Sequence, residues 1–108
     1  MCIRDRIEPL ITDRTVGIIP VHLFGLCADM DGVADAIKGH DLWVVEDAAC
    51  AFGAWHGDRH AGTLGDLGCF SFHPRKSITT GEGGMLTTND ASHAELARSL
   101  RDLSLIHI

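Results

Sequence analysis

Four consecutive apolar residues, Leu42-Trp43-Val44-Val45, run straight into two carboxylates, Glu46 and Asp47. An unbroken apolar run of that length reads as a strand buried on both faces, and such strands belong to parallel sheets covered by helices. What precedes it agrees. Val16–Phe24 is an apolar run of strand length that ends at Gly25. Met30, Val33, Ala34 and Ile37 then recur at i, i+3, i+4 and i+7, the stripe of a short helix. Asp29 or Asp31 is placed to cap its start, and Gly39 to end it. Strand, helix and buried strand in this order make a βαβ unit.

Downstream, Ala54-Trp-His and Arg59-His-Ala flank Gly57-Asp58, which reads as a two-residue hairpin turn. Gly62, Gly65 and Gly68 punctuate the approach to a further strand over Cys69–His73. Thr79–Gly84 reads as a tight turn, Met85–Thr88 as a strand, and Ala94, Leu96, Ala97 and Leu100 as the apolar positions of a last helix. That helix opens near Asn89, Asp90 or Ser92. The fold class is α/β, a mostly parallel sheet with flanking helices.

Composition narrows the function classes. The chain of 108 residues is 45% hydrophobic and 22% charged, which excludes a disordered or fibrous polymer. A net charge of -6 gives no footprint for nucleic acid. No apolar run approaches the ~20 residues that span a bilayer. Cys27, Cys50 and Cys69 are far apart, with no CxxC pair, as expected of reduced thiols in a cytoplasmic protein. His22, His56, His60 and His73 lack the carboxylate or Cys spacing of a tetrahedral metal set, so no metal is expected.

The two ends have a separate explanation. MCIRD is encoded by ATG TGT ATA AGA GAC; with AG added, the reverse complement reads Leu-Ser-Leu-Ile-His and an incomplete Ile codon. That is Leu103–Ile108. One inverted DNA repeat thus accounts for both termini and resembles a transposon sequencing adapter. Residues 1–6 and 103–108 are therefore expected to be artefact, with residues 7–102 forming part of a larger domain.

In open parallel sheets, ligands sit at the carboxyl ends of strands. Glu46 and Asp47 fall there, as do Ser71 and His73, with Lys76 on the loop that follows. On spacing alone, a strand-end Asp and a loop Lys are as consistent with a salt bridge as with a catalytic pair.

Three blocks decide the matter: PVHLFG (Pro20–Gly25), VVEDAACAFGA (Val44–Ala54) and GDLGCFSFHPRKSITTGEGG (Gly65–Gly84). In this order they resemble the DegT/StrS-type sugar aminotransferases, which use pyridoxal 5′-phosphate (PLP) on the fold-type-I aspartate-aminotransferase architecture. The resemblance covers nearly all of residues 7–102 and places them in the central part of the large domain. It implies transfer of an amino group, with L-glutamate as donor, to a nucleotide-linked keto sugar, in a homodimer that serves amino-sugar and polysaccharide biosynthesis. A segment of this size is expected to be inactive alone.

Carried over by position, the resemblance makes Lys76 the catalytic residue that forms the Schiff base with PLP, a task that needs a primary amine. Asp47 would face the pyridine nitrogen and keep it protonated. At about 4 Å and an effective dielectric near 20 that attraction is about 4 kcal/mol, or about three pKa units. Glu46 is the weaker candidate, because adjacent strand residues point to opposite faces. Ser71 would bind the cofactor phosphate. Cys50 stands where the family usually has Gln, near the cofactor, and a thiol is a poor hydrogen-bond donor. His22 would line the pocket and His73 would orient the Lys76 loop. Arg59 and Arg75 are open as contacts to anionic groups. Two alternatives remain: a non-catalytic PLP-binding regulatory module, and a sugar dehydratase of the same family. The dehydratases carry His in place of the Schiff-base Lys, so Lys76 speaks against the second.

Overall fold

A computed structural model describes residues 3–101. Two short 3-10 turns, Ile3–Arg6 and Glu8–Leu10, precede the first strand. A four-stranded sheet follows, ordered β1 (Gly17–Ile18), β2 (Trp43–Asp47), β5 (Leu67–Ser71), β6 (Gly84–Thr87). The first three strands are parallel and β6 returns antiparallel to β5. Between β2 and β5, β3 (Trp55–His56) and β4 (Arg59–His60) form the hairpin expected around Gly57-Asp58.

Helix α1 (Met30–Ala36) joins β1 to β2 as expected, with the Asp29 carboxylate accepting the Gly32 N–H at 2.9 Å. Met30 and Val33 are its buried apolar residues; Ala34 is exposed. Helix α2 (Ala91–Arg101) opens with Asp90, whose carboxylate accepts the N–H groups of Ser92 and His93 at 2.8 and 3.0 Å.

Three expectations shift. The Val16–Phe24 run is not one strand, because Pro20 has no N–H for the ladder. Pairing with β2 resumes beyond it only as a bridge from Val21 to Asp47, and the run ends in a Leu23–Leu26 turn with Phe24 at φ 54°. The Cys69–His73 strand lies two residues earlier, at Leu67–Ser71, since β5 takes its register from β2 through Val45↔Leu67 and Glu46↔Gly68. Gly68 thus belongs to the strand. A Cβ there would lie 2.5 Å from the Gly62 backbone, so the loop over the sheet requires glycine at this crossing. Finally, β2 is central, but Trp43 keeps 48% of its surface exposed. The compact core is small: Ala48, Ala51, Ala54 and Ala61, with Cys27 and Phe70 packed against them.

Candidate active site

Parallel pairing sends the carboxyl ends of β2 and β5 to the same edge of the sheet, and the residues there sort by pleat. Asp47 is in register with Cys69, and Ser71 lies two residues on, so Asp47, Cys69 and Ser71 share one face. Burial pushes the Cys69 thiol above its ordinary value, and the Asp47 charge adds to it. The Asp47 backbone is held by the 20–22 segment through both its polar groups: its N–H donates to the Pro20 carbonyl and its carbonyl accepts the His22 N–H, each at 2.9 Å. Its carboxylate accepts the Ala49 N–H at 3.1 Å. The Ser71 hydroxyl accepts the His73 N–H at 3.3 Å, turning the chain out of β5.

The 72–83 loop then brings Lys76 back over the end of β2. Its Nζ donates to Cys50 Sγ at 3.1 Å, with both residues half-buried. Cys50 is also tied to the first block, since its carbonyl accepts the Gly25 N–H at 3.0 Å. His73 shapes this loop: its Nδ1 accepts the Arg75 N–H at 3.3 Å and its carbonyl the Lys76 N–H at 2.9 Å. All three sequence blocks therefore meet at one sheet edge. They bring together a primary amine (Lys76), a carboxylate (Asp47) and a hydroxyl (Ser71). That donor set suits an aromatic aldehyde bearing a ring nitrogen and a phosphate.

His22 is not part of this set. It is wholly buried, and both ring nitrogens are engaged within the protein. Nδ1 accepts the Ala28 N–H at 3.0 Å, which leaves the proton on Nε2, facing Glu46 Oε2 at 2.9 Å. No ring nitrogen remains to meet a cofactor. The Arg59 guanidinium donates to the Thr63 carbonyl.

Glu46 is the residue that sequence reasoning undervalued. It is 0% exposed, on the face opposite Asp47. Oε2 accepts the Gly62 N–H at 2.6 Å as well as the His22 ring; Oε1 accepts the Leu64 and Gly65 N–H groups at 2.6 and 2.7 Å. Burial raises its titration point, but the donations from Gly65, His22, Gly62 and Leu64 outweigh it and hold the carboxyl below its ordinary value. One signal pointed here: a carboxylate that directly follows the apolar run of a buried strand must be paired, and a glycine-rich loop offers backbone donors.

Two clefts lie elsewhere among the described residues. One of about 420 Å³ sits between α1 and the β3–β4 hairpin, which His56 joins to Asp31 at 3.1 Å. Another of about 970 Å³ runs between the β5–β6 pair and α2. Neither includes Asp47, Ser71 or Lys76, whose grouping is an open edge.

Comparison with known proteins gives a consistent result. The model of the DegT/DnrJ/EryC1/StrS aminotransferase family matches residues 1–106. The chain is 51% identical to GDP-perosamine synthase of Caulobacter vibrioides over 96 residues, covering 89% of this chain and 26% of that protein. It is 51% identical over 98 residues to UDP-N-acetyl-3-dehydro-alpha-D-glucosamine 3-aminotransferase of Acidithiobacillus ferrooxidans, covering 90% of this chain and 26% of the relative. Among solved structures, an E. coli GDP-4-keto-6-deoxy-D-mannose-3-dehydratase with bound hydrated PLP superposes with a TM-score of 0.84 at 31% identity. That match covers 91% of this chain and 25% of the other. The chain spans about a quarter of the length of the curated relatives it matches.

Proposed function

The chain belongs to the DegT/DnrJ/EryC1/StrS aminotransferase family, and on that premise we propose that it is the cofactor-holding segment of a PLP-dependent aminotransferase acting on a nucleotide-linked keto sugar. The observation that carries this is that Asp47 and Ser71 share one face at the carboxyl ends of β2 and β5 while Lys76 reaches Cys50, three residues beyond Asp47. The nucleotide-sugar substrate class is supported by the name of the Acidithiobacillus relative. L-Glutamate as donor and a homodimer are what the family resemblance implies, and the three separated cysteines suit a cytoplasmic location. Among the described residues no helix is long and apolar enough to cross a membrane.

Bound PLP supplies an electron sink and a carbonyl through which an amino group passes from donor to acceptor. Lys76 would hold the cofactor through its primary amine, and the same amine would be placed to carry a proton between substrate and cofactor carbons. The 72–83 loop sets its reach, and the Cys50 contact marks where the amine comes to rest. Asp47 would hold a proton on the pyridine nitrogen, and Ser71 would bind the phosphate through its hydroxyl. Cys50, at the position the family usually gives to Gln, offers the ring a weaker hydrogen-bonding partner. The presence of Lys76 favours amine transfer over dehydration.

Residues 7–102 are taken as the family segment. The 96-residue alignment with the Caulobacter relative has that length, while the family match extends past it on both sides. Alone, the chain exposes Phe24 at 93% and Leu10, Val16 and Leu26 at 75% each, surfaces that promote association. We expect it to aggregate or stay inactive; a soluble monomer that binds PLP and transaminates would refute this.

The enzyme reading is tested on the full-length protein that carries this segment. Lys76→Ala abolishes borohydride-trapped PLP on the peptide containing residue 76. Asp47→Asn keeps the trap but cuts turnover severely. Trapping on the same peptide in Lys76→Ala would show the assignment to be wrong. A trap without turnover on any keto sugar and glutamate would favour the regulatory module instead.

A further inference from the structure

We propose that His22 and Glu46 form a positioning pair that fixes Asp47 for the cofactor, an inference that rests on the reading of Asp47 given above. The two side chains are the largest fully buried ones among the described residues. Their hydrogen bonds hold Asp47 by its carbonyl and by the side chain of the residue before it. On one side the His22 N–H donates to the Asp47 carbonyl at 2.9 Å, while the His22 ring donates to Glu46, the residue before Asp47, at 2.9 Å. On the other, Glu46 anchors the Gly62–Gly65 loop through three backbone N–H groups.

One residue thus grips Asp47 by the main chain and its neighbour by the side chain. A backbone movement that re-aims the Asp47 carboxylate must strain the bonds of the Asp47 N–H to Pro20 and of the Asp47 carbonyl to His22, and must pull the Glu46 side chain from its donors. The direction of every donation is set. Ala28 N–H occupies Nδ1, so the imidazole must donate from Nε2; Glu46, facing four donors, must be the acceptor. The pair therefore works with a neutral ring and an ionised carboxylate. A displacement of about 1 Å at a reacting group is enough to lower rates by about a hundredfold, so the aim of Asp47 is worth such a frame.

Two substitutions at position 22 divide the pair's bonds. The amide nitrogen of His22→Gln reaches where Nε2 stood and keeps the donation to Glu46. The carbonyl of His22→Asn stands in for Nδ1 and keeps only the Ala28 bond. On the full-length enzyme, equilibrium dialysis gives the PLP Kd and visible circular dichroism gives the band per bound PLP. Thermal unfolding of the cofactor-free protein is followed alongside. His22→Asn is expected to weaken PLP at least about tenfold and diminish the band, while His22→Gln stays within about twofold of the parent. A merely structural role moves the unfolding midpoints and leaves Kd and the band in place. Equal losses in the two variants, or none in His22→Asn, would overturn the pair. Should His22→Asn not fold, Glu46→Asp, which keeps the charge and shortens the reach, carries the same expected loss and the same refutation. Asp47→Asn is the reference. If it leaves Kd and band unchanged, the Asp47 reading fails and the pair's role with it; if it changes them while His22→Asn does not, only the pair fails.

Discussion

Glu46→Gln tests the energetic claim that a buried carboxylate holds the Gly62–Gly65 loop on the sheet. The replacement has the same length but presents one carbonyl oxygen and one NH2 group. With the NH2 at the Oε2 position, it faces the Gly62 N–H and the His22 Nε2–H. With the NH2 at the Oε1 position, it faces the N–H groups of Leu64 and Gly65. The imidazole cannot switch to acceptor, because its other nitrogen already accepts from Ala28. Either orientation sacrifices two bonds to a charged group, at about 1.5–3 kcal/mol each, so the expected loss is about 3–6 kcal/mol. That is a large share of the about 5–15 kcal/mol that stabilises a typical domain. Urea denaturation of the cofactor-free full-length protein at neutral pH, followed by circular dichroism, reads the change directly. Glu82→Gln, at an exposed residue, serves as the control and should stay within about 0.5 kcal/mol. A loss below about 1 kcal/mol for Glu46→Gln would refute the reasoning, since it would mean that these donors are satisfied without the carboxylate.

The same group makes stability depend on pH. The Glu46 carboxyl is held below its ordinary value in the fold, so its contribution is present above the unfolded-state value and is lost as pH falls through the folded one. Acid titration should therefore lower the unfolding midpoint of the parent more steeply than that of Glu46→Gln. Gly68→Ala should destabilise by about 1–3 kcal/mol in the same urea assay, because its Cβ would lie 2.5 Å from the Gly62 backbone and 2.6 Å from Thr87 Oγ1. Asp29→Ala, which removes the α1 cap, should lose about 1 kcal/mol with little effect on PLP binding by dialysis. Cys50→Gln should tighten PLP binding, since an amide donates a stronger hydrogen bond than a thiol; unchanged affinity would remove Cys50 from the cofactor's surroundings.

Much of this molecule is legible along the chain, because much of it follows from local chemistry. The Met30–Ala36 helix was visible in its apolar stripe and its Asp cap, and the Gly57-Asp58 turn in its flanking residues, since each forms from contacts within a few residues. Asp47, Ser71 and Lys76 are singled out by the blocks that carry them and by the rule that strand ends face ligands, and the fold places Asp47 and Ser71 at neighbouring strand ends. The shared face of Asp47 and Ser71 then came from parallel register, which alternation alone could not supply.

What the linear order hides is partnership across distance. His22, 24 residues before Glu46, resembles a pocket residue because it sits in a motif; only the folded chain shows that both its nitrogens are engaged inside. Gly62, Gly65 and Gly68 resemble loop punctuation, yet Gly68 is a strand residue whose missing side chain lets the 62–65 loop come down onto Glu46. Local propensity determines which segments become helix, strand or turn. A buried charge is different: it is stable only where donors from separate segments converge on it, and that convergence is a property of the tertiary fold.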